Sequence, residues 1–181
     1  MPTVSGLEIV GDHPEANGLE FYRTMQAVVH SVLIRQVHHG IHLPERNRNV
    51  IISDSHIYDN SGYGIFLDDL SLHQVNITSN HISYNTLGGI KVSGQSDIRN
   101  FQITGNDIEY NYGEESLEVV SEPGAADIWI DTSEGGSVRE GTISGNTIQA
   151  RPSRGGANIR FTGTPGDSQK IGLWSITGNH I

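Results

Sequence analysis

Cysteine is absent from the 181 residues, which rules out a disulfide framework and a thiolate metal site and leaves the redox compartment open. Basic residues are scarce. Eleven Lys and Arg face 21 Asp and Glu, for a net charge of −10. Proteins that bind nucleic acid neutralise phosphates with Lys and Arg, so no nucleic-acid partner is expected. No apolar run approaches bilayer-spanning length, and residues 1–20 lack the charged start and apolar middle of a secretory signal. No membrane partner is expected either. Methionine occurs only twice, which counts against a metal-assembly protein with Met ligands.

Glycine, by contrast, is plentiful at 22 residues, and asparagine recurs throughout. Glycine weakens helices and asparagine favours turns, so the chain must turn often. A hydrophobic content of 35% suits a thin, continuous core, and the length suits one domain, 1–181.

The sequence repeats. One element reads Gly or a substitute, apolar, any residue, apolar: GLEF from Gly18, GIHL from Gly40, GIFL from Gly64, GIKV from Gly89, DIWI from Asp127 and NIRF from Asn158. A second falls between these: ITSNHI from Ile77, ITGNDI from Ile103, ISGNTI from Ile143 and ITGNHI from Ile176, with ISDSHI from Ile52 carrying Ser at the Asn place. Apolar residues alternate within each element, which is the periodicity of strands. No single repeat can bury its apolar face alone, so the repeats stack into a solenoid of parallel sheets around a shared interior. The fixed leucine pattern and helical return of a leucine-rich repeat are missing. Asn80, Asn106, Asn146 and Asn179 are placed at one corner of successive coils, with their amides bonding along the stack, and Asn60, Asn85 and Asn111 at a second.

These elements resemble the right-handed parallel β-helix repeats of the pectin-lyase-like superfamily, over residues 7–181. The resemblance implies an all-β, right-handed parallel β-helix of about six to seven coils. It also implies a polysaccharide partner outside the cell or at its surface, because the superfamily includes pectate and alginate lyases, polygalacturonases, mannuronan epimerases and phage depolymerases. Surface proteins without known activity share the fold, so a non-catalytic adhesin or structural solenoid, such as a surface protein or phage tail-fibre piece, is the alternative. The chain starts near a strand and stops within a repeat, and is expected to be part of a longer stack. Self-association is expected through open coil ends or as a homotrimer.

In the GIxφ elements, where φ is apolar, the residue between the two apolar positions points outward. This gives a ladder of Glu20, His42, Phe66, Lys91, Trp129 and Arg160, about 4.8 Å apart. In the resembling enzymes this sheet lines the saccharide groove. Phe66 and Trp129 suit stacking on sugar rings, Lys91 and Arg160 suit carboxylates, and Glu20 and Asp69 complete the candidate binding set. A plain solvated strand face would also show one such residue per coil.

Asp68 and Asp131, just past the strand ends, are candidates for the two carboxylates of inverting hydrolysis. The NTD, GDD and GHG motifs of polygalacturonases are missing, as is the DPH element of the epimerases; LDDL at 67–70 only superficially resembles the second. Lyase chemistry would draw its base from Lys91 or Arg160, with His42 assisting and calcium as an admissible bridging cation. No metal ligand set is assigned. His38, His39 and His42 straddle a corner and a strand and are not expected to converge, and His56, His81 and His180 are expected to form an outward column. Segments 112–126 and 162–171 are read as protruding loops, the first with Glu114, Glu115, Glu118 and Glu122 as an acidic run.

Overall fold

The structure, a computed structural model, describes residues 1–112, 125–149 and 156–181. The chain runs through β1 (Thr3–Ser5), β2 (Glu8–Val10) and β3 (Leu19–Glu20), and these three directions then recur. β4 (Val28–His30) lies on β1, β5 (Leu33–Arg35) on β2, and the start of β6 (Ile41–Ser53) on β3, every pair parallel. β6 continues around a corner onto β4, β7 (His56–Tyr58) covers β5, and β8 (Tyr63–Thr78) repeats β6. β9 (His81–Ser83), β10 (Gly88–Val92), β11 (Asp97–Thr104) and β12 (Asp107–Glu109) follow the same path. β13 (Ala126–Asp131), β14 (Ser137–Ser144), β15 (Thr147–Gln149), β16 (Ala157–Thr162), a short 3-10 turn over Ser168–Lys170 and β17 (Ile171–Thr177) complete it.

The result is a three-sided parallel β-helix. The ladder face holds β3, the first parts of β6 and β8, β10, β13 and β16, and the bent face holds β1, β4, the later parts of β6 and β8, β11, β14 and β17. Both belong to one 11-stranded sheet, because β6 and β8 turn the corner unbroken. The narrow face is a six-stranded sheet of β2, β5, β7, β9, β12 and β15. The acidic run with Glu114, Glu115, Glu118 and Glu122 lies outside the described residues.

Strand alternation sends one apolar column inward from every face. Ile41, Ile65, Ile90 and Ile128 come from the ladder face, Ile52, Ile77, Ile103 and Ile143 from the bent face, and Ile57, Ile82, Ile108 and Ile148 from the narrow face, each at most 1% exposed. Each such side chain contributes about 1.5–3 kcal/mol on burial. The bent face takes its shape from a second column. Asn49, Gln74, Asn100 and Glu140 occupy matched positions with φ of 54, 68, 57 and 63°, a left-handed backbone that bends each of these strands in the middle.

Two corners carry buried amides. Between the bent and narrow faces, Asn80 Nδ2 donates to Asn106 Oδ1 at 3.1 Å and Asn106 Nδ2 to Asn146 Oδ1 at 3.0 Å, while each amide also donates to the isoleucine carbonyl of the preceding coil. Ser55, in the Asn position of its coil, donates its backbone N–H to Asn80 Oδ1. Between the narrow and ladder faces, Asn60 donates to Asn85 and Asn85 to Asn111, both at 2.8 Å. Both corner assignments from the repeat pattern are correct. The residue before each amide in this second corner, Asp59, Tyr84 or Tyr110, has φ near +55° and reverses the chain without glycine.

The second ladder ends on an acid. Asn111 Nδ2 donates to Asp127 Oδ1 at 3.0 Å, and Asp127 Oδ2 is buried without a hydrogen-bond partner. Burial lifts the Asp127 carboxyl from 3.8 to about 7, against the opposing hydrogen bonds from Asn111. A raised carboxyl pKa means the folded state holds a proton that the unfolded chain releases, so stability falls as pH climbs from about 4 to about 7 and stays lowered above that. We expect Asp127→Asn to be nearly neutral at low pH. At about pH 8 it should stabilise the chain by on the order of 1–4 kcal/mol, read as a higher melting temperature by circular dichroism. An unchanged pH slope in the variant would refute the assignment.

Disruption of the first ladder should have the opposite effect. Asn106→Ala strips the acceptor from the backbone and side-chain N–H groups of Asn80 and two bonds from its own amide, all buried. We expect a loss above about 2 kcal/mol in denaturant melts.

Candidate active site on the ladder face

Strand pairing puts Glu20, His42, Phe66, Lys91, Trp129 and Arg160 side by side, one per coil. Asp68 and Asp131 stand in the next outward column, with Ser93 in the coil between them. Asp69 sits at the corner itself, at φ 45°, and its carboxylate accepts from Ser93 Oγ at 2.9 Å.

The first half of the face is a carboxylate–imidazole–carboxylate relay. His42 Nδ1 lies 2.8 Å from Glu20 Oε2 and His42 Nε2 lies 3.1 Å from Asp68 Oδ2, an arrangement that a doubly protonated ring satisfies. Burial pulls the His42 pKa down, but the bonds to Asp68 and Glu20 and their charges outweigh it and raise the value above 6.5. The same contact with His42 holds Glu20 below its ordinary value.

The second half is organised around Lys91. Its Nζ donates to Asp131 Oδ2 at 2.9 Å and lies 3.1 Å from the centre of the Trp129 ring, whose face attracts cations. The sequence treats Lys91 as outward surface charge unless catalytic, and this needs correction, since the residue is only 7% exposed. Folding of the long side chain onto Trp129 removes the ammonium from water. Burial lowers the Lys91 pKa to about 8, against the stabilising bond and charge of Asp131. Arg160 flanks the other side, its guanidinium 5.7 Å from the Trp129 ring centre, and Trp129 Nε1 donates to Thr162 Oγ1 at 2.9 Å.

An aromatic patch joins the halves. Phe66 stacks on His42 at 5.5 Å between ring centres and touches Tyr63 at 5.1 Å and His39 at 4.8 Å. The rings of His38 and His39 are 4.1 Å apart and those of His39 and His42 are 5.6 Å apart, but the three do not bring their ligand atoms to one point, as the sequence reading expects. His39 occupies the position before Gly40, where the tight corner turns its ring over the strand. There Nδ1 accepts from the backbone N–H of Tyr63 at 3.0 Å, and burial drives the pKa to about 3, so the ring is neutral.

Tyr63 was missed by the sequence reading. Burial and the Asp131 charge push its hydroxyl to about 12. Alignment of the residues preceding each glycine, Asn17, His39 and Tyr63, would have revealed this column.

Chemically, the face favours a base over a hydrolytic pair. Burial would raise the Asp131 carboxyl, but the bonds from Ser133 and Lys91 outweigh it and hold the group below its usual value, poorly suited to donate a proton. Asp68 is engaged with His42 on the far side of Ser93.

The family model for the right handed beta helix region matches residues 3–108. The chain belongs to this family. No curated protein matches it in sequence. Among solved structures, the A-modules of the Azotobacter vinelandii mannuronan C-5 epimerases AlgE4 and AlgE6 share 14% and 15% identity, with TM-scores of 0.42 and 0.41. The matches cover 90% and 94% of this chain and 55% and 56% of those modules, so the chain spans just over half their length. Among the described residues of this right-handed β-helix, no helix is long and apolar enough to cross a membrane.

The relay makes a direct prediction. A raised folded-state pKa at His42 gives stability that is full below pH 6.5 and is lost as pH rises through the raised value. An NMR titration should therefore find the His42 midpoint above that of an ordinary imidazole, and Glu20→Gln should lower it. A midpoint at or below the ordinary value would show that the relay does not form in solution.

Proposed function

We propose that the ladder face binds a uronate-containing polysaccharide and that Lys91 takes the proton α to a uronate carboxylate, the step shared by polysaccharide lyases and epimerases. The observation that carries this reading is the placement of the Lys91 amine on Trp129 and against Asp131, in the middle of a face with acidic groups, aromatic rings and Arg160. A desolvated lysine is the group best able to serve as a base near neutral pH, because burial makes its neutral form accessible.

In this reading Phe66 and Tyr63 form a platform for a sugar ring and Arg160 neutralises the substrate carboxylate. The C–H bond breaks, its proton passes to the Lys91 amine, and the electron pair delocalises into the carboxylate. Expulsion of the oxygen at the adjacent carbon then forms a double bond and cleaves the chain. Return of a proton from the opposite side inverts the centre instead. Tyr63 keeps its proton well above neutral pH and, on the same face as Lys91, is the acid at hand for the departing oxygen, whereas the inverting proton would come from solvent on the open side. A polysaccharide substrate places the work outside the cell or at its surface.

The non-catalytic alternative also has an observation in its favour. Lys91 is already satisfied by Asp131 and Trp129, as a structural ion pair would be. Incubation with pectate, alginate and neutral glucans, with and without calcium, distinguishes the readings through ultraviolet absorbance of unsaturated ends, reducing ends, and NMR of the product uronates. We expect activity on a uronate polymer that falls by about 100-fold or more in Lys91→Arg, which keeps the charge but cannot release the proton, with binding retained. An active Lys91→Arg variant overturns the assignment of the base. Binding without product in the wild type selects the adhesin.

A further inference from the structure

We propose that the narrow face carries a divalent transition-metal site built from His81, Asp107 and Glu109, with His56 as a further donor. This site is separate from the ladder face and does not depend on the reading given for it.

The geometry comes from two adjacent strands. His81 on β9 is the direct register partner of Asp107 on β12, and Glu109 lies two residues further along β12, so Ile108 points inward while both acids point out. One ligand atom from each of the three residues lies within 4.8 Å of the others, and His81 Nε2 is 3.1 Å from Glu109 Oε1. Donors around one zinc-sized ion at its usual bond lengths stand about 3.3 Å apart, so side-chain rotation alone closes the set. The strands that hold the donors are locked by parallel pairing and by the fully buried Ile82 and Ile108, giving the kind of rigid support on which precise sites are built.

His56 extends the set by one coil. It is in register with His81, and the two rings are 5.4 Å apart. The three grouped donors come from two successive coils, and His56 stands one coil beyond them on the same side of the sheet. The simpler reading of an outward column accounts for the His81–Glu109 contact as an ion pair. It leaves a second carboxylate, Asp107, beside the first on the same side of one strand, an arrangement that a cation between them relieves. Imidazole among the donors favours zinc or another late first-row ion over calcium or magnesium, which prefer oxygen alone.

The test uses the untagged full chain, stripped with a chelator and dialysed against zinc chloride, with metal content, calorimetry and thermal melting as readouts. We expect one zinc per chain and a higher melting temperature, because an ion held by two coils staples them, with no comparable response to calcium or magnesium. Asp107→Asn and Glu109→Gln should each weaken zinc binding by about tenfold or more while leaving the circular dichroism spectrum unchanged. Lys91→Arg should bind zinc as the wild type does. Absence of zinc uptake overturns the proposal. So does uptake that survives both carboxamide variants, which would place the ion on other histidines.

Discussion

The fold depends on the hydrogen bond that one corner amide gives to the next. A coil that turns three times in some 25 residues must leave backbone N–H and C=O groups at its corners with no strand partner, and those groups are buried. An asparagine meets the need from a single position: its oxygen accepts from the N–H below, and its nitrogen reaches both the neighbouring amide and a carbonyl of the adjoining coil. The amides also cover the left-handed residues that precede them. Ser79, Tyr84 and Tyr110 adopt positive φ without glycine's freedom, and the ladder bonds hold them there. Parallel pairing and inward isoleucine columns follow once the corners are set.

On this frame the three faces differ in what they can do. The ladder face puts outward residues in straight columns and adds Tyr63 and His39 from its entry corner, so charged and aromatic groups fall within reach of each other. On the bent face β6, β8, β11, β14 and β17 break their columns with a left-handed residue, which spreads Asn76 and Gln102 around a concave strip of amides. The narrow face has only three residues per strand, so acid and imidazole from neighbouring coils are brought close together.

The sequence was legible where a position repeats and had little to say where neighbours decide. Alternation exposed the inward isoleucines and the outward ladder, and the Asn spacing exposed both corners. Nothing in GIKV shows that Lys91 is withdrawn from water, because that depends on Trp129 and Asp131, 38 and 40 residues further along. The bent-face column was equally hidden: Asn49, Gln74, Asn100 and Glu140 share a backbone conformation, but polar side chains of this kind fit any exposed strand position. The contact that His39 makes was hidden for the same reason, since its ring accepts from the backbone N–H of Tyr63, 24 residues further along.

The separations along the ladder face have a consequence for how such a protein can vary. Phe66 and Lys91 are 25 residues apart in the chain and Lys91 and Trp129 are 38 apart, yet both pairs are direct register neighbours. Distance in space is set by stacking, about 4.8 Å per coil, and is blind to how much chain leaves and returns between coils. An insertion at a corner therefore changes what stands beside the outward ladder residues without moving them. The solenoid behaves as a rack with fixed shelf spacing, in which new segments can be hung at the edge of an existing constellation while its internal geometry is inherited intact.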